Sequence, residues 1–158
     1  MRTDPQKSKF VLKLLFLLYS AAMLWLLFGR VRHDAAGAYW DCVHHNISLT
    51  PLHTIRQFWD LLSYRHRPHL IRLALVNLLG NVAMFVPLGF FLPCLWTRQR
   101  KLRWLLPTSI LLITAVELCQ LFTLRGICDI DDIILNIPGI LLGFLIFHIL
   151  NFFRAKQA

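Results

Sequence analysis

Apolar residues in this chain gather into four long runs, at 10–29, 70–96, 104–124 and 130–153, with polar residues collected between them. A run of about 18 or more apolar residues reads as a bilayer span, because hydrocarbon offers backbone groups no partner and a helix satisfies them within one segment. The pattern predicts an all-α membrane protein with four transmembrane helices, forming one integral membrane domain over 1–158. The connection at 30–69 is too long to be a plain link and is expected to carry structure or function. Within it Ile55, Phe58, Trp59 and Leu62 recur at i, i+3, i+4 and i+7, with Arg56 and Asp60 off the stripe. That spacing predicts a short amphipathic helix, about 54–64, lying in the membrane interface.

The polar residues between the runs set the expected topology. Arg2, Lys7 and Lys9 precede the first run, Lys13 can snorkel back to the headgroups, and Arg30 and Arg32 follow it. The run is too long for a signal-peptide core and no small-residue cleavage site follows, so an uncleaved anchor is expected. Arg98, Arg100, Lys101 and Arg103 crowd the connection between the second and third runs, which holds no acidic residue. The positive-inside rule assigns that connection to the cytoplasm. Alternation then puts both termini in the cytoplasm and residues 30–69 and 125–129 outside. Asp34, Asp41, Asp60, Asp129, Asp131 and Asp132 fall on the outer side, and Asp4 on the inner. The long outer segment also holds several arginines, so the basic connection decides the orientation.

Composition changes this picture little. The hydrophobic share is 57%, beyond what one soluble core needs, and the net charge of +9 resides mainly at the ends of apolar runs. Such charge suits anionic lipid and topology and gives no nucleic-acid surface. The four cysteines form no metal motif. Cys94 and Cys119 read as apolar fillers, and Cys42 and Cys128 fall in outer loops, where a disulfide is open but not established. His44, His45, His53, His66 and His69 match no standard zinc spacing, so neither a metal nor a cofactor is expected. Asn46-Ile-Ser48 is a formal sequon of a common kind.

Polar residues inside the runs carry the candidate chemistry. Asn77 and Asn81 are one turn apart beside Gly80, and Pro87 and Gly89 suggest a kink. Their plainer explanation is helix–helix contact through amides and small residues. Glu117 and Gln120 share a face of the third run, and an intramembrane carboxyl marks a site by default, against the plainer reading of a protonated acid in a structural hydrogen bond. The sequence Arg125-Gly-Ile-Cys-Asp129-Ile-Asp131-Asp132 leads into the fourth run. Carboxylates there suit a helix start, by capping for Asp129 and by the dipole for Asp131 and Asp132. Asp132, Asn136, Gly139 and Gly143 also form one stripe, with a GxxxG spacing that favours close packing. Depth ties these groups together. At about 1.5 Å per residue they sit within roughly 6–12 Å of the outer boundary, so three helices contribute polar groups at one level.

These segments resemble the VanZ-like family, bacterial membrane proteins named for a teicoplanin-resistance determinant. The resemblance rests on Asn77-Leu-Leu-Gly-Asn-Val-Ala-Met-Phe-Val-Pro-Leu-Gly89, Glu117-Leu-Cys-Gln120, Asp129-Ile-Asp-Asp-Ile-Ile-Leu-Asn136, then Pro138-Gly139 and Gly143. The stretch 48–55 is similar to the family's outer-loop signature, with Ser48 where members often have Asn and Leu52 where they often have Phe. The resemblance implies a bacterial envelope protein associated with reduced susceptibility to lipid-bearing glycopeptides such as teicoplanin, without an assigned biochemical activity.

The residues support an outer-leaflet pocket of Asn77, Asn81, Glu117, Gln120, Arg125, Asp129, Asp132 and Asn136 that takes a lipid head group or lipid-linked cell-wall precursor. Asn81, Glu117 and Asn136 are expected to converge, with Asp132 and Arg125 pairing to close the outer side. Glycopeptide would be affected only indirectly. The alternative is an intramembrane enzyme with Glu117 and Asp132 as acid–base candidates, although no nucleophile stands beside a histidine within the runs. A carrier is disfavoured by four short helices without an inverted repeat. A purely structural protein leaves the shared depth of Glu117 unexplained.

Overall fold

The computed structural model describes residues 5–29, 38–63 and 68–156. The side chains of Leu62 and Asn77 lie outside the described set, as do Asp34, His66 and residues 30–32. The described residues form α1 (Pro5–Phe28), α2 (Tyr39–His45), α3 (His53–Ser63), α4 (Pro68–Leu95), α5 (Leu102–Phe122) and α6 (Ile130–Lys156). Of these, α1, α4, α5 and α6 are long and apolar enough to cross a membrane. The chain is all-α, with four membrane-compatible helices. Each begins before its apolar run or ends beyond it where basic or polar residues can continue the helix. Thus α6 runs on to Arg154 and Lys156, whose charges suit the negative end of the helix dipole.

The centre of the bundle is the contact between α4 and α6, which depends on glycine. A Cβ on Gly139 would strike the Val82 carbonyl, one on Gly143 the Val86 carbonyl, and one on Gly89 the Ile140 carbonyl. The two backbones therefore touch along nearly two turns, the approach that small residues permit between membrane helices. Gly80 takes no part: a Cβ there meets nothing within 4 Å. The close contact expected beside Asn77 and Asn81 lies further along α4, at Gly89, which had been read only as a partner of Pro87 in a kink. Phe85, Leu88, Leu92, Leu105, Ile113 and Ile140 fill the core around this seam.

By contrast, α1 is peripheral, and none of its span is fully buried. It leans on the core through Phe16, Tyr19 and Met23, one face of the helix at i, i+3 and i+7. Phe16 meets the rings of Phe91 and Trp96, and the Tyr19 hydroxyl donates to Met84 O at 2.8 Å. The remaining apolar surface, including Phe10, Leu17 and Trp25, faces outward, as suits a helix solvated by lipid.

The described part of the first connection, 38–63, meets the chain after α5, at the opposite end of that helix from the basic turn at Thr97–Arg100. The expected amphipathic helix is α3, with Ile55 and Phe58 half-buried and Trp59 exposed. The sequence pattern did not foresee α2 or the two-residue strands β1 (Ile47–Ser48) and β2 (Cys128–Asp129). These strands pair in parallel, Ile47 opposite Cys128 and Ser48 opposite Asp129. Val43 of α2 packs with Leu121 and Leu124, and Cys42 and Cys128 lie against that cluster as free thiols. Burial, helped by the nearby carboxylates of Glu117, Asp129 and Asp132, pushes the Cys128 thiol above its ordinary value.

A polar cavity at one end of the bundle

Local geometry brings the candidate residues to one end of the bundle. Helix α5 stops in a Schellman arrangement: Arg125 N–H donates to Gln120 O at 2.9 Å and Leu124 N–H to Leu121 O at 3.0 Å. Leu124 takes the left-handed position, φ 54°, that glycine usually fills. Its buried side chain is the compensating contact, and Gly126 instead lies against Gln120. The chain then turns through β2 into α6, where Asp129 Oδ1 accepts from Asp131 N–H at 2.9 Å, a side-chain cap of the helix start.

A partly open cavity of about 240 Å³ lies between the four long helices at this end. Asn81 of α4, Glu117 and Gln120 of α5, Arg125 and Asp129 of the turn, and Asp132 and Asn136 of α6 all line it. Asn81, Glu117 and Asn136 thus share one space. Its apolar walls come from Leu27, Met84, Phe85, Ile113, Val116 and Ile127. The Asn77 side chain lies outside the described residues.

Hydrogen bonding divides the lining into two groups. Asn81 Nδ2 donates to Asp132 Oδ1 at 2.9 Å, linking α4 to α6. Gln120 Nε2 donates to Leu27 O at 2.9 Å, and Arg125 Nη1 donates to Phe28 O. The last carbonyls of a helix have no partner within it, so these two side chains cap the end of α1 and hold it over the cavity. Asp132 thus bonds across to α4, and Arg125 reaches the end of α1. In the second group, Glu117 is 5% exposed and Asn136 4%. Glu117 Oε2 and Asn136 Oδ1 have no hydrogen-bond partner among the described residues. A buried polar atom left unpaired costs about 1–3 kcal/mol, so these acceptors are the chemically unfinished part of the site.

The shared depth holds, although the helix ends do not coincide. Asn81 stands thirteen residues into α4 and Asp132 two into α6, yet they are bonded. At about 1.5 Å per residue, α4 therefore begins roughly 16 Å beyond the start of α6 along the bundle. Two contributors escaped the sequence reading. Asp131, treated there as a complement to the helix dipole, is completely buried, and its Oδ1 accepts the Leu52 N–H at 2.5 Å. Leu27 brings α1 into the cavity wall, and no polar residue in that run signals it. The walls on α5 were legible, since Ile113, Val116, Glu117 and Gln120 stand at i, i+3, i+4 and i+7.

No curated protein and no solved structure shows significant similarity to this chain. The family described as VanZ/LLP1 matches residues 16–151, which take in α4 and α5 whole, most of α6, the second half of α1 and every cavity residue. The chain belongs to the VanZ/LLP1 family.

Proposed function

We propose that the cavity binds the polar head of an envelope lipid or lipid-linked cell-wall precursor in the outer leaflet of the bacterial cell membrane, and that holding this component lowers susceptibility to glycopeptides such as teicoplanin. The carrying observation is the pair of buried, unpartnered oxygens on Glu117 and Asn136, two residues that line one cavity beside the Asn81–Asp132 bond. A cluster serving only to join helices would use its hydrogen-bonding capacity within the protein, since isolated polar groups are costly in hydrocarbon. The outer placement rests on charge: Arg98, Arg100, Lys101 and Arg103 lie at the opposite end, and basic connections are retained in the cytoplasm.

The same Glu117 oxygen supports a second reading, in which Glu117 and Asp132 act as an acid–base pair on a lipid-linked substrate. Susceptibility to teicoplanin, measured in cells carrying Asn81→Leu or Glu117→Gln at wild-type membrane abundance, tests the cavity's role. Loss of the protein's effect in both variants is expected, and full retention in both would refute the role. Lipid profiles of cells with and without the protein separate the readings, because an enzyme alters covalent composition and a binder leaves it unchanged.

A further inference from the structure

The hydrogen-bonding inventory of the cavity narrows its occupant. One N–H each of Asn81, Gln120 and Arg125 is engaged on a protein acceptor, at Asp132, Leu27 O and Phe28 O. The two buried atoms left unpartnered, Glu117 Oε2 and Asn136 Oδ1, are both acceptors. Three carboxyl groups, of Glu117, Asp129 and Asp132, line the space against the single guanidinium of Arg125. A purely anionic head would meet three carboxyl groups for one guanidinium. A head that donates hydrogen bonds and carries positive charge satisfies both the open acceptors and the local field.

The wall beside the cavity narrows it further. A second hollow of about 340 Å³ is lined by Trp25, Leu26, Leu27, Gly29 and Met84, and shares Leu27 and Met84 with the polar cavity. It lies along the end of α1, the helix least buried in the bundle. A polar chamber thus adjoins an apolar one across a two-residue boundary, the division needed by a molecule with one polar and one hydrocarbon end.

Resting on the reading that this cavity binds an envelope component, we infer that the occupant is a membrane amphiphile with a primary ammonium head, an aminophospholipid of the phosphatidylethanolamine class. Its ammonium donates to Glu117 and Asn136, its phosphate lies toward Arg125, and its chain leaves past Leu27 and Met84 between α1 and α4. Ammonium, and not charge alone, is required, because the open acceptors need N–H donors.

The full-length protein in detergent is equilibrated with equal amounts of phosphatidylethanolamine, phosphatidylcholine and phosphatidylglycerol of identical acyl chains, and retained lipid is quantified by native mass spectrometry. Phosphatidylethanolamine and phosphatidylcholine are both zwitterionic and differ in N–H donors. The wild type is expected to prefer the former by about tenfold, the scale of one charge-assisted hydrogen bond. The near-isosteric Glu117→Gln should lower that preference to about twofold or less. Met84→Trp, and independently Leu27→Phe, should reduce retention of every lipid, with unchanged thermal unfolding reporting an intact bundle. The soluble glycerophosphoethanolamine should fail to displace bound lipid at about a hundredfold excess, since it lacks the apolar contribution. Equal retention of phosphatidylcholine or phosphatidylglycerol, or a preference unchanged in Glu117→Gln, overturns the ammonium assignment. Displacement by the soluble head, or full retention in both portal variants, overturns the chain route. Lipid retention unaffected by Asn81→Leu would overturn the underlying reading as well, which distinguishes that failure from the others.

Discussion

Asp131 is the residue whose role changes most between chain and fold. Locally it is one of two acids in the first turn of α6, where the helix dipole accounts for it. In the fold it reaches 79 positions back along the chain to the Leu52 N–H. Leu52 holds a left-handed backbone, φ 61°, which costs a branched residue on the order of 1–3 kcal/mol and persists only where neighbours fix it. Asp131→Ala is therefore expected to destabilise the protein by about 1–3 kcal/mol, by removing the carboxylate that holds the Leu52 N–H and its left-handed backbone. Thermal unfolding in detergent measures the loss, with faster proteolysis within 47–52 as its local signature. Unchanged stability would show that the outer segment is held without this bond. No pattern around position 131 discloses a partner so distant. Glu117 was legible for the opposite reason, since a carboxyl in an apolar run calls for an explanation wherever it occurs.

At the scale of elements, the α6 stripe of Asp132, Asn136, Gly139 and Gly143 was readable because helical periodicity places its members on one face. What the period leaves open is the facing surface, and here the sequence reading went astray at Gly80. Both Gly80 and Gly89 are single glycines in α4, and only the packing distinguishes them. The consequence is a paired prediction. Gly139→Leu should lower stability by about 3 kcal/mol or more, because its side chain meets the Val82 carbonyl in a backbone contact that cannot yield. Gly80→Ala should leave stability unchanged or raise it by about 0.5–1 kcal/mol, because alanine favours the helix and meets open space. Equal effects at the two sites would contradict the α4–α6 seam. The amphipathic period of α3 was also visible, whereas β1 and β2, with two residues each, are too short to leave any period.

For the whole molecule, the number of spans was legible from run length alone, and the partnership of α1 was not. A uniformly apolar run reveals that a helix meets lipid or core, without revealing that its final carbonyls are capped by Gln120 and Arg125 or that Leu27 closes a cavity. The proposed orientation rests on charge. Single cysteines at 98–103 should be shielded from a membrane-impermeant maleimide in intact cells, and those at 38–60 should be labelled. The reverse pattern would move the cavity to the cytoplasmic leaflet and sever its link to antibiotics acting at the surface. The proposed function requires that buried acceptors from α5 and α6 form a chamber for a ligand. Cryo-electron microscopy or crystallography of the protein in native lipid tests this most directly. Non-protein density is expected within hydrogen-bonding distance of Glu117 and Asn136, continuing past Leu27 and Met84. A cavity collapsed in lipid, with Glu117 and Asn136 bonded only to each other and to their neighbours, would contradict it.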